Sequence, residues 1–174
     1  MCPRCRRRPS QLSVVRAIGS YDGSLRAIVH ALKYGKRRSI ARPLAARMRA
    51  YTGDVLVHSD IVVPVPLHRS RRRLRGFNQA EELAKYLGIP RQLALRRRRA
   101  TPSQTDLPAA QRHRNVREAF ALARGADVRG LRVAIVDDVC TTGATLEACA
   151  RVLRESGAAD VRAITAARVV TRPR

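Results

Sequence analysis

Apolar residues follow two rhythms along this chain. Apolar stretches at 14–21, 61–66, 133–136 and 161–169 are bounded by turn residues. A short run of that kind fits a strand buried on both faces of a parallel sheet. Between them, apolar positions recur every three or four residues, as on one face of a helix. Leu25, Ile28, Val29 and Leu32 form the first such stripe, closed by Gly35. Ile40, Leu44, Met48 and Tyr51 form the second, with Ser39 placed to cap it. Ala80, Leu83, Ala84 and Leu87 form the third, and Asn78 followed by Glu81 resembles a capping box. Leu146, Cys149, Ala150 and Leu153 form the last. Strands alternating with helices predict a doubly wound α/β domain with a mainly parallel sheet.

The remaining segments are less regular. Pro64 and Pro66 break and end the 61–66 strand, because proline cannot donate to a central ladder. A loop follows at 67–76, carrying Arg69, Arg71, Arg72, Arg73 and Arg75. Residues 91–95 read as a strand closed by the arginines at 96–99, and 101–114 as a long loop of the kind that often carries function. Phe120, Leu122 and the glycines at 125 and 130 suggest a hairpin leading into the 133–136 strand. No repeat or linker divides the chain. The expected organisation is a stub at 1–9 and one domain at 10–174.

Composition narrows the setting. The chain has 174 residues, enough for a sizeable core, but no Trp and few aromatics, so Val, Ile, Leu and Ala must build that core. The start is charged and lacks an apolar run, and no stretch could cross a bilayer. A cytoplasmic protein without membrane insertion is expected. Of four cysteines, Cys2 and Cys5 form a C-x-x-C pair, half of a tetrahedral zinc site, and no disulfide scaffold is expected. The formal charge is +23, nearly all the excess being arginine. Such a charge favours polyanions such as nucleic acid, nucleotides or pyrophosphate; the alternative is a solvated basic surface.

The chemistry concentrates in Val133-Ala-Ile-Val-Asp-Asp-Val-Cys-Thr-Thr-Gly-Ala-Thr145. A buried strand delivers Asp137 and Asp138 to its carboxyl end, where ligands sit in open α/β sheets. Thr141, Thr142, Gly143, Ala144 and Thr145 then lead into a helix whose free N–H groups and dipole favour an anion. Read without its neighbours, Asp-Asp could equally be a helix cap. Cys140 lies in this loop, where a thiol pKa can fall; it is either reactive or simply tolerated. Lys33, at a helix end, either compensates the dipole or contacts pyrophosphate.

The string resembles the phosphoribosyl pyrophosphate (PRPP) signature of type I phosphoribosyltransferases. That resemblance assigns Asp137 and Asp138 to the ribose hydroxyls and residues 141–145 to the 5-phosphate. Val63-Pro-Val-Pro-Leu-His68, the arginines after it and Arg75-Gly-Phe-Asn-Gln-Ala80 look like the ComF family of competence-associated phosphoribosyltransferase-like proteins. His30-Ala-Leu-Lys-Tyr34, Thr101-Pro-Ser-Gln104 and Arg114-Asn-Val-Arg-Glu-Ala-Phe120 agree with it, so the resemblance spans about 14–170. The family carries an N-terminal zinc knuckle with two C-x-x-C pairs, of which this chain has one.

The resemblance implies an enzyme that binds PRPP with magnesium held through the substrate and transfers the phosphoribosyl group to a nitrogen acceptor. Asp137, Asp138, Arg112 and Arg114 are the catalytic candidates. Lys33, Pro64, Val65, Pro66 and Arg75 are the pyrophosphate candidates. Zinc is expected at Cys2 and Cys5 only in a longer form with the remaining ligands. Two rivals stay open: an accessory protein that grips single-stranded DNA beside DNA-uptake proteins, and a PRPP-sensing regulator. A homodimer is compatible with each.

Overall fold

The computed structural model describes residues 10–35, 37–98 and 119–170. Cys2, Cys5, Arg112, Arg114 and the 101–114 segment lie outside them, as does the 1–9 stub. Four strands form a parallel sheet: β1 (Val15–Ser20), β2 (Ile61–Pro64), β5 (Arg132–Cys140) and β6 (Asp160–Arg168), in the order β1-β6-β5-β2. The intervening helices are α1 (Gly23–Tyr34), α2 (Ala41–Tyr51), α3 (Gly53–Val57), α4 (Arg69–Arg75), α5 (Gln79–Ala84) and α6 (Ala144–Glu155). A separate antiparallel ribbon pairs β3 (Leu95–Arg97) with β4 (Phe120–Leu122).

The central strand β5 shows why its sequence reads as an unbroken apolar run. Val133 and Ile135 pack with Leu146, Cys149, Ala150 and Leu153 of α6 and with Phe120 of the ribbon. Ala134 and Val136, on the opposite face, pack with Val29 and Leu32 of α1, Leu44 and Met48 of α2, and Leu83 of α5. Both faces are covered, so neither parity of side chain can be polar. The doubly wound architecture follows.

Strand parity also explains the two prolines. Val62 turns its backbone groups outward: its N–H donates to the Pro90 carbonyl and its carbonyl accepts from Gln92 N–H. Val65 turns inward and donates to Val136. Pro64 and Pro66 share the outward parity of Val62, so the missing N–H groups fall on the side away from β5.

Several expectations need correction. The arginine-rich 67–76 stretch is no loop but helix α4, capped by His68, whose ring nitrogen accepts from Ser70 N–H. It closes on Gly76 in the left-handed conformation, φ 79°. Ser39 does not cap α2; it lies inside a 3₁₀ turn at Arg38–Ile40. Tyr51 is 60% exposed, and the buried face of α2 is Ala41, Leu44, Ala45 and Met48. Residues 91–95 supply only a one-residue bridge at Arg91, and the strand begins at Leu95. Phe120 and Leu122 pair back onto β3, not forward onto β5. The Asn78 cap holds: its Oδ1 accepts from Ala80 N–H at 3.1 Å.

Candidate functional site

The ladder between β2 and β5 ends at Pro64 and Val136, whereas β5 runs on beside β6 until Cys140 meets Arg168. Asp137 and Asp138 therefore lie inside β5, not beyond it, on a stretch flanked by only one strand. The gap where β2 departs toward α4 opens a cavity of about 280 Å³. Asp137, Asp138, Thr141 and Thr145 line one side. Val65, Pro66, Arg71, Arg75, Asn78 and Gln79 line the other, and Lys33, Tyr21 and Arg97 complete the wall.

Alternation along β5 sends the two carboxylates to different faces. Asp138 shares the parity of Val136 and meets α1, where Lys33 Nζ stands 2.9 Å from its Oδ1. Asp138 is 7% exposed, and this lysine is the cation that offsets its burial. Asp137 shares the parity of Ile135 and faces the ribbon side. Its Oδ1 accepts the Asp138 backbone N–H at 2.8 Å. Burial, then the Asp138 carboxylate, push the Asp137 carboxyl up to about 7, against the pull of that N–H, Lys33 and Arg97.

After Cys140 the chain turns through Thr141 and Thr142 to Gly143, which has φ 78° and starts α6. A left-handed residue at that point favours glycine. The Thr142 hydroxyl accepts from Ala144 N–H at 3.4 Å. Thr141 and Thr145 line the cavity mouth, beside the start of a helix of 12 residues. Cys140 is no activated thiol: burial raises its pKa, outweighing Arg168 and the Gly143 N–H. Cys149 is fully buried in the core, as its place on the apolar stripe implied.

The opposite wall is tied together by side chains. Asn78 Nδ2 donates to the Val65 carbonyl at 2.9 Å, fixing the end of β2 against α5. Arg75 donates to Gln79 Oε1 at 3.2 Å and to the Tyr34 hydroxyl at 3.4 Å, with its guanidinium 5.1 Å from the Tyr34 ring centre. Arg38 donates to the Gly76 carbonyl at 3.0 Å and lies over Phe77, fastening the end of α4. Arg97 stands 5.3 Å from the Phe120 ring centre, and burial, then Arg71, lower its pKa.

Of the residues picked out by sequence, Asp137, Asp138, Thr141, Thr145, Lys33, Val65, Pro66 and Arg75 meet around the cavity. Thr142, Gly143 and Ala144 shape the turn without lining it. Pro64 is buried in β2 and lines nothing; its place is structural. Lys33 sits on the carboxylate side, paired to Asp138. Sequence reasoning passed over Tyr21, Asn78, Gln79 and Arg97 as cavity residues and met Arg71 only as one of the arginines neighbouring Arg75. Asn78 was read only as a helix cap, Gln79 had no role of its own, and Arg97 was hidden in an arginine run.

A model of the phosphoribosyl transferase domain matches residues 74–173. DNA utilization protein YhgH of Salmonella typhi is 38% identical over 172 residues, covering 92% of this chain and 74% of its own. Competence protein F of Haemophilus influenzae is 31% identical over 171 residues, covering 92% and 75%. Among solved structures, glutamine phosphoribosylpyrophosphate amidotransferase from B. subtilis, complexed with ADP and GMP, aligns at 28% identity with a TM-score of 0.49. That alignment covers 79% of this chain and 30% of the amidotransferase, so the chain spans less than a third of that enzyme.

Proposed function

The chain belongs to the ComF family of phosphoribosyl transferase domain proteins, and from that premise we propose that its cavity binds PRPP and transfers the phosphoribosyl group to a nitrogen acceptor. One observation carries the reading. Two carboxylates, one of them paired to Lys33, and a threonine-lined helix start share a single cavity with Arg71, Arg75 and Arg97. PRPP has the matching polarity: hydroxyls in the middle, a monophosphate at one end and the more highly charged pyrophosphate at the other.

In this reading Asp137 and Asp138 accept from the ribose hydroxyls, and residues 141–145 take the 5-phosphate with backbone and hydroxyl donors. The arginines receive the pyrophosphate, in bidentate geometry where the guanidinium plane allows. The C1–O bond to pyrophosphate breaks as the acceptor's nitrogen lone pair forms the new C1–N bond, with loss of a proton from that nitrogen. Positive charge developing at C1 is stabilised by the two carboxylates, and the departing negative charge by the arginines. Lys33 neutralises Asp138 until ribose hydroxyls displace it. Among the described residues no group of three or more His, Cys, Asp or Glu side chains could hold an ion. Two carboxylates beside an open cavity fit a magnesium ion bound mostly through substrate oxygens. Bound there, it would neutralise part of the pyrophosphate charge.

Calorimetric titration of PRPP with magnesium tests the reading, and absence of binding overturns it. Pyrophosphate release with a panel of bases identifies the acceptor; binding without turnover favours a PRPP-sensing regulator. A second reading draws on the outer face of α4, where Arg69, Arg72 and Arg73 are exposed. We propose that this face tracks the backbone of single-stranded nucleic acid. Such binding must weaken steeply with salt; an affinity that barely changes from low to moderate salt excludes it.

A further inference from the structure

We propose that Gln79 is a specificity residue of the pyrophosphate arm, its Nε2 donating to a non-bridging pyrophosphate oxygen. The proposal rests on the PRPP reading and adds a residue to it. Gln79 is 2% exposed. Its Nε2 is the only buried side-chain nitrogen or oxygen among the described residues without a hydrogen-bond partner. Buried polar groups are almost always satisfied, so an exception in a core needs a reason. Here the residue that carries it is one of those lining the cavity.

The orientation of the carboxamide is chemically fixed. Gln79 Oε1 accepts from Arg75 Nη1 at 3.2 Å. A guanidinium only donates, so the amide nitrogen cannot face it, and Nε2 is the end left to seek an acceptor. On its own wall of the cavity, Arg71 and Arg75 carry donors only. A ligand that presents only acceptor oxygens satisfies all of these groups at once. Pyrophosphate is such a ligand; ribose hydroxyls and an amine are not. The Arg75–Gln79 pair is therefore a two-donor unit, one charged and one neutral, and the neutral member adds direction to what charge alone would attract.

The test compares inorganic pyrophosphate, PRPP and ribose 5-phosphate, each titrated with magnesium into wild type, Gln79→Leu and Gln79→Glu. Gln79→Leu removes both polar ends at similar volume. Gln79→Glu keeps an acceptor for Arg75 but loses the donor and sets a carboxylate against the anion. A lost bond to a charged oxygen predicts roughly 10-fold or greater weakening of pyrophosphate and PRPP in Gln79→Leu. Gln79→Glu weakens them further. Ribose 5-phosphate, which has no pyrophosphate arm, stays within about twofold in both variants. Gln79→Leu deletes an unsatisfied buried donor but also the acceptor of the Arg75 tie, so its melting temperature is measured beside the titrations. Unchanged pyrophosphate affinity in Gln79→Leu overturns the assignment. Equal losses on all three ligands also overturn it, because they mean that Gln79 only holds the fold. Wild type that binds neither PRPP nor pyrophosphate removes the underlying reading as well, and is told apart by failing before any substitution.

Discussion

The two walls of the cavity are built in opposite ways. The β5–α6 wall is one continuous segment, residues 137–145, set by ladder bonds to β6 and by the start of a helix. The facing wall is gathered from the end of β2, α4 and the start of α5, with α1 and β3 closing the space between the walls. Its parts are tied by side chains: Asn78 to Val65, Arg75 to Gln79 and Tyr34, Arg38 to Gly76. Backbone holds the first wall whatever its side chains are. Substitutions there should change binding and leave the fold, whereas substitutions in the second should disturb neighbours as well.

The strongest test removes both carboxylates. Asp137→Ala/Asp138→Ala should lose more than roughly 100-fold in PRPP affinity, because both groups assigned to the ribose in the proposed function disappear together. Circular dichroism should match wild type. If the double variant unfolds instead, the carboxylates belong to the scaffold and the contrast between walls collapses.

Lys33 crosses between the walls, and its removal shows which it serves. Lys33→Met leaves Asp138 buried without its cation, at a cost of about 3 kcal/mol in urea denaturation. Lys33→Met/Asp138→Asn should recover most of that loss, since no unpaired charge remains. A Lys33→Met variant as stable as wild type would mean that Asp138 finds its compensation elsewhere.

The pH dependence of stability isolates Asp137. Unfolded, it loses its proton near pH 4; folded, it keeps the proton to about 7. Between those values the folded state binds more protons, so its contribution is greatest below pH 4 and falls as pH rises to 7. The loss is read as the difference in the pH dependence of stability between wild type and Asp137→Asn, which lacks the titrating carboxyl. Equal slopes would show that the carboxyl titrates normally.

The same contrast decides what the sequence could disclose. Residues 133–145 and the stripe at 146, 149, 150 and 153 were legible because a contiguous motif carries its own register. The Asn78 cap was legible for the same reason. Helix α4 was not: its only apolar residue is Leu74, 75% exposed, so it has no periodic face to detect. It is held by the His68 cap, the Gly76 turn and the ties of Arg75, of which only the glycine is visible as a letter. The short α3 lies just past the second stripe and adds no turn of its own pattern. The Lys33–Asp138 pair joins positions 105 apart, a juxtaposition that only the packing of α1 on β5 creates. Arg97 was one of four arginines in a row, and strand parity, not composition, turned it inward.

The smallest effect is expected on the outer face of α4, and it sharpens the comparison most finely. Arg71 and Arg75 are one helical turn apart and both line the cavity. Arg72 and Arg73 point to solvent, Arg72 toward Glu81 at 3.3 Å in a pair too exposed to contribute much. Arg71→Ala and Arg75→Ala should each weaken PRPP by about 10-fold through lost charge-assisted bonds. Arg72→Ala/Arg73→Ala should leave PRPP within about twofold, since salt screens charges that lie outside the cavity. If the outer face binds single-stranded nucleic acid, that same double variant lowers its salt slope by about 2, one for each lost phosphate contact. Equal losses of PRPP from both faces would mean that the arginines act only as a diffuse positive field, and that the second wall has no inner surface to specify.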